Sequence, residues 1–188
     1  GLTGGAYPNG TQIDFFNIDS TGNSVDFGNR TITAQQPGSV ASRTRGCIGG
    51  GYSSGDSNVI DFVTMASQGN AQNFGDLTLG GHGVSMCIND STRGVFAGRT
   101  SAPTFRNIID YITIATTGDA VDFGDISIAI RNPVGGSSPT RGVFALGRNT
   151  SGTDLNSIDF LTISTQGNTA DFGDLLFTGK YGAGGSNA

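Results

Sequence analysis

The sequence predicts an all-β fold, a β-propeller of four blades with a repeat of about 48 residues. Three observations carry this expectation. One stretch, clearest at 91–128, recurs at 138–177 and at 43–79, with a shorter copy at 1–32. Its anchors keep step: Asp14, Asp61, Asp110 and Asp159 stand in an I-D-aromatic triplet, and Arg45, Arg93 and Arg141 stand in T-R-G. Phe27, Phe74, Phe123 and Phe172 stand in a [DN]-F-G triplet. Within each copy the apolar residues alternate with period two, and no helical period persists.

Each repeat reads as four strands. The short apolar run after T-R-G, as in 94–98, is the first. The β-branched segment 108–116 alternates and is the second. A T-G-D or Q-G-N tripeptide follows, where Gly and Asn or Asp accept positive φ. The third strand, 120–128, carries the [DN]-F-G triplet and is expected to bend at its Gly. A Gly- and Ser-rich segment such as 83–89 precedes the next T-R-G and is the fourth. Small side chains suit the innermost strand of a blade. The repeat boundaries fall near 1–36, 37–82, 83–130 and 131–180, forming one domain. The segment 181–188 is expected to close onto 1–7, because it matches the strand that the first copy lacks and because closure removes exposed sheet edges.

Composition narrows the function. All the acidic residues are Asp, Lys180 is the one lysine, and the net charge is −5. Without a basic stripe the chain is not expected to bind nucleic acid. No apolar run approaches the roughly twenty residues of a membrane span, so membrane insertion is not expected. His82 is the one histidine and no D-x-D-x-D-G loop occurs, so neither a metal nor another cofactor is expected. Cys47 stands where other copies have Leu or Val and reads as a core side chain. Cys87 takes a small-residue position, and the sequence leaves open whether the two are bonded.

The candidate residues divide into two groups. Asp14, Asp61, Asp110, Asp159, Phe27, Phe74, Phe123 and Phe172 recur in every copy, as structural residues do. The phenylalanines are expected to be buried equivalently. Arg45, Arg93 and Arg141 are expected to pair with repeat aspartates; as a ring of guanidinium groups they also form a candidate site for a carboxylated sugar. Tyr52 and Phe105 lie in loops and are candidates to stack on a ligand. Asp56 and His82 read as solvated loop residues. No set of residues resembles a catalytic centre, and a non-enzymatic protein is expected.

A glycine pair closing one strand, with an aromatic ending the second and another opening the third, resembles the kelch repeat. Gly50, Gly51, Phe62 and Phe74 are that set in the second copy. The pair becomes Gly98–Arg99 and Gly147–Arg148 later, so the resemblance is one of architecture. The longer motifs, T-R-G-V-F-A-G and I-D-Y-I-T-I-A-T-T-G-D-A-V-D-F-G-D, are similar to tandem repeats of phage virion and tail-associated proteins. This resemblance implies an extracellular virion component, structural or receptor-binding, with no catalytic residue. Its partners would be other virion proteins or host cell-surface glycan, and homo-oligomerisation is left open. A propeller lectin and the protomer of an extracellular filament are the alternatives.

Overall fold

The computed structural model describes residues 2–4, 10–101, 103–180 and 182. It is all-β, built from small antiparallel sheets, and has no helix among the described residues. Repeat one supplies β1 (Leu2–Gly4), β2 (Gln12–Phe15) and β3 (Val25–Asn29) in a three-stranded sheet. Repeat two supplies β4 (Gly38–Ala41), β5 (Arg45–Gly49), β6 (Val59–Thr64) and β7 (Gln72–Asp76), paired in that order. Repeat three has β8 (Met86–Asn89) and β9 (Arg93–Ala97), a small ribbon of β10 (Thr100–Ser101) and β11 (Thr104–Phe105), then β12 (Ile108–Thr113) and β13 (Val121–Asp125). Repeat four opens with β14 (Ile130–Arg131), followed by β15 (Val134–Ser137) and β16 (Arg141–Ala145). It continues with β17 (Arg148–Asn149), which pairs with β14, then β18 (Leu155–Thr162) and β19 (Ala170–Gly179). The strands β4, β8 and β15 that precede T-R-G take one edge of their sheets, as that position predicts.

The [DN]-F-G triplet is a β-bulge. Ile60 pairs with Gly75 and Asp61 with Asn73, so Phe74 is the extra residue. The same slip skips Phe27, Phe123 and Phe172. A bulge re-aims a side chain and needs a residue tolerant of unusual φ. The triplet glycines supply it, with φ of 146°, 150°, 145° and 140° at Gly28, Gly75, Gly124 and Gly173. The preceding carboxylate holds the bend: Asp26, Asp122 and Asp171 each accept from the triplet Gly N–H at 3.1 Å.

Each sheet has two unlike faces, because side chains alternate along a strand. On β6, Ile60 and Phe62 point toward repeat three, and Val63 points toward repeat one. The apolar clusters therefore lie between consecutive repeats. One joins Ile13 and Phe27 to Ile48, Val63 and Ala71. The next joins Cys47, Phe62, Phe74 and Leu77 to Phe96, Ile112 and Ile114. The last joins Val95, Ile109, Phe123 and Ile126 to Phe144, Leu161 and Ile163. This nearest-neighbour arrangement is how repeat proteins bury faces that no single repeat can bury alone.

One expectation needs correction here, and another falls largely outside the described residues. Phe27, Phe74 and Phe123 are 6%, 3% and 2% exposed, but Phe172 is 55% exposed. The reason is local: no further repeat covers the fourth sheet's outward face among the described residues. The described residues also show no closed ring. Most of 1–7 and of 181–188, the segments expected to close it, lies outside the described residues.

Candidate functional site

The T-R-G arginines do not pair with the repeat aspartates. Arg45 lies opposite Thr64 on the neighbouring strand, so it shares a face with Phe62, and Asp61 is on the other face. Its guanidinium stacks on the Phe62 ring, 4.5 Å from the centroid. Arg93 does the same over Tyr111 at 4.9 Å, and Arg141 over Phe160 at 4.8 Å. Arg45 then donates to the carbonyl of Ile114 at 3.2 Å, and Arg93 to that of Ile163 at 3.0 Å. Arg45 and Arg93 therefore tie repeat two to repeat three and repeat three to repeat four. The pairing expected from periodicity fails because strand parity separates Arg and Asp.

The aspartates take partners that the period hides. Asp61 is buried and receives Arg30 Nε at 3.0 Å and Thr31 Oγ1 at 2.5 Å. Burial draws the Arg30 guanidinium below its usual range, and Asp61 opposes that. Asp110 receives Arg99 Nη2 at 2.5 Å and Thr78 Oγ1 at 2.6 Å. Asp159 has no arginine; it receives the Ser127 hydroxyl at 2.5 Å and backbone N–H at 3.4 Å, and the Thr169 hydroxyl at 2.9 Å. Thr31, Thr78 and Ser127 hold one repeat position, and each reaches into the following repeat. Asp61, Asp110 and Asp159 are thus spent on holding repeats together. Arg30 and Arg99 break the repeat pattern, and that departure was the available signal.

Backbone contacts complete each junction. The turn N–H groups of Gly69, Gly118 and Gly167 donate to Phe27, Phe74 and Phe123 carbonyls, each at 2.8 Å. Asn70, Asp119 and Asn168 side chains accept from Asn29, Asp76 and Asp125 N–H groups, each at 3.0 Å. The triplet glycines permit this approach. A Cβ on Gly28, Gly75 or Gly124 would run into the carbonyl of Gly69, Gly118 or Gly167, whereas a Cβ on Gly173 would meet nothing within 4 Å.

The ligand candidates separate onto opposite ends of the sheets. Arg45, Arg93 and Arg141 begin β5, β9 and β16; Tyr52 lies in the loop beyond the far end of β5, and Phe105 ends the short β11 beyond the far end of β9. The structure therefore does not gather the five into one site. The loop end holds the aperiodic chemistry. His82 Nδ1 lies 2.7 Å from Asp56 Oδ1, and Tyr52 meets the imidazole edge-on with centroids 5.2 Å apart. Reciprocal backbone bonds between His82 and Thr100 fix the loop. Tyr52 is 38% exposed, and sequence reasoning missed that Asp56 and His82 join it. Nearby in kind, Phe105 lies under the Arg131 guanidinium at 5.0 Å. Asp154 bonds Arg148 Nε at 2.7 Å; that bond, with the charges of Arg148, Lys180 and Arg131, holds its carboxyl below the usual range. Gln36, Gly83 and Asn132 are equivalent residues with φ of 56°, 63° and 53°. The Gln36 and Asn132 side-chain oxygens both come within 4 Å of the position a Gly83 Cβ would take.

An apolar groove of about 440 Å³ lies beside β1, lined by Leu2, Val40, Cys47, Ile48, Val63 and Met65. Among the described residues no cluster of His, Cys and Asp has the composition to hold a metal ion. Cys47 and Cys87 are both free thiols, and burial pushes each up to about 12. No family model matches this chain, and no curated protein matches it.

Proposed function

We propose that this chain is a non-enzymatic scaffold module of a phage virion, tail- or fibre-associated, whose four repeats are propeller blades with kelch-like architecture. The observation that carries the reading is the fate of the repeat carboxylates. Asp61, Asp110 and Asp159 are buried and fully engaged in contacts between or within repeats, which leaves them no part in chemistry on a substrate. The similarity of the repeat motifs to those of virion proteins supplies the setting. A rigid stack of sheets with variable loops at one end suits presentation of contact residues to virion neighbours or host glycan. Immunogold labelling with antibodies to the chain tests this. Label on the tails of purified particles is expected; particles that contain none of the chain overturn the proposal.

A second reading, a glycan-binding module, is favoured by the Tyr52–His82–Asp56 group, which offers an exposed aromatic face beside polar groups. Loss of cell-surface glycan binding in Tyr52→Ala would support it, and binding that survives this change would remove it.

A further inference from the structure

The three internal junctions define what one repeat presents to the next. The forward face offers the stacked Arg, the bulge Phe and the bulge Gly. The receiving face offers an apolar side chain two residues after the I-D-aromatic-x segment, and the Gly-Asn or Gly-Asp turn. At the second and third junctions both halves are covered, with Ile114 and Ile163 1% and 0% exposed and Phe74 and Phe123 3% and 2% exposed; Met65, at the same position in the first, is half-buried against a covered Phe27. At the two ends the same positions are open. Ile18, the counterpart of Ile114 and Ile163, is 77% exposed. Phe172 is 55% exposed, and Gly173 has open space where Gly28, Gly75 and Gly124 have a neighbouring turn. Arg141 stacks on Phe160 as its counterparts do, but no carbonyl among the described residues accepts from it.

We propose that copies of this chain associate head to tail, the forward face of repeat four docking on the receiving face of repeat one. The partner is a second copy because each open face is half of a junction whose bulge and turn contacts this chain already makes three times and whose arginine contact it makes twice. The contacts then follow by register. Gly22 N–H bonds the Phe172 carbonyl, Asn23 accepts from Asp174 N–H, and Arg141 reaches the Ile18 carbonyl. Two departures from the repeat agree with such a junction. Leu176 replaces the hydroxyl residue of Thr31, Thr78 and Ser127, so repeat four has no hydroxyl at that position to offer the next carboxylate. Asp14, which would receive it, already has Gln12 Nε2 at 2.9 Å and Ser24 Oγ at 3.3 Å. Leu176 is 104% exposed, which adds apolar area to the docking face. The contact uses unlike surfaces, so it generates a ring or an open filament.

This deepens the scaffold reading and rests on its claim that the repeats are structural; the virion label decides that reading, and solution association decides this one. Ile18→Asp and Phe172→Asp each spoil one face at an exposed position. By sedimentation velocity, the wild-type chain is expected to form species larger than its 19.2 kDa monomer as concentration rises. Each single variant should remain monomeric. An equimolar mixture of the two should give a species of twice the monomer mass and no larger one, because one intact face from each remains. The double variant should not associate with itself. Circular dichroism matching the wild type establishes that the variants are folded. A wild-type chain that stays monomeric at millimolar concentration, or variants that do not complement, overturn the proposal.

Discussion

Replacing the bulge phenylalanine tests the two-faced repeat directly, because one repeat position occurs both covered and uncovered. Phe74 is 3% exposed, lies in the cluster between repeats two and three, and meets Phe62 edge-on with centroids 6.0 Å apart. Phe74→Ala leaves a cavity that the surrounding strands cannot close, so the cost is about 3–5 kcal/mol. Phe172 makes the same edge-on contact with Phe160 at 6.0 Å but is 55% exposed. About half of the roughly 1.5–3 kcal/mol for burying a Phe is then at stake, and no closed cavity forms. Phe172→Ala should therefore cost about 1 kcal/mol, with the aromatic pair contributing part of it. Urea unfolding at low micromolar concentration reads both values, and the m-value checks that the transition keeps its cooperativity. Equal losses at the two positions would refute the reasoning, since Phe172 would then have to be covered within a single chain.

Gly75→Ala should destabilise well beyond Gly173→Ala in thermal unfolding, since both bear the strain of positive φ but only the former Cβ meets a neighbouring turn. Arg99→Met should cost about 3–5 kcal/mol because it strands the buried Asp110 carboxylate; a variant as stable as the wild type would show that the Thr78 contacts alone suffice. Cys47 and Cys87 stay protonated in the fold to about pH 12, so their contribution is complete below the ordinary thiol value of 9.0 and is lost as pH rises from 9.0 toward 12. Stability that is flat across that window in the wild type but falls in the Cys47→Ala, Cys87→Ala double variant would contradict this assignment. Arg93→Met should weaken the third junction and shift unfolding by about 1 kcal/mol, through the lost stack and carbonyl bond; an unchanged midpoint would argue that the stack contributes nothing.

Periodicity made the strands, the edge position of β4, β8 and β15, and the bend in the third strand legible, because each depends on local chemistry repeated in the chain. Phe27, Phe74 and Phe123 were legible as core for the same reason. Phe172 was not, since burial depends on what lies across the sheet and not on the motif. The arginine pairing was misread because sequence spacing does not reveal which face a residue takes once strands are in register. Arg45 and Asp61 both recur with the period, yet pairing Arg45 with Thr64 puts them on opposite faces. The loop cluster was illegible for the opposite reason. His82 has no counterpart in the other repeats, and its meeting with Tyr52 and Asp56 depends on two loops folding over one another.

The repeat carboxylates show how one structural demand was met by two chemistries. Asp159 receives a hydroxyl from Thr169 of its own turn, and Asp14 receives one from Ser24 at the same repeat position. In repeats two and three that position is Ala71 and Ala120, both buried in the junction clusters. The carboxylates there, Asp61 and Asp110, are the two that hold buried arginines, Arg30 and Arg99. A buried carboxylate with too few donors would be strongly unfavourable, so the loss of the turn hydroxyl and the gain of an arginine belong together. The two arginines arrive from different repeat positions, Arg30 from the end of repeat one and Arg99 from the glycine pair of repeat three. What the fold conserves between repeats is therefore a satisfied carboxylate at the junction rather than a particular partner for it. Restoring the hydroxyl should accordingly loosen the requirement for the cation. Ala120→Thr should recover part of the stability lost in Arg99→Met while leaving the parent little changed, and an equal loss in both backgrounds would show that the turn hydroxyl cannot stand in for the guanidinium.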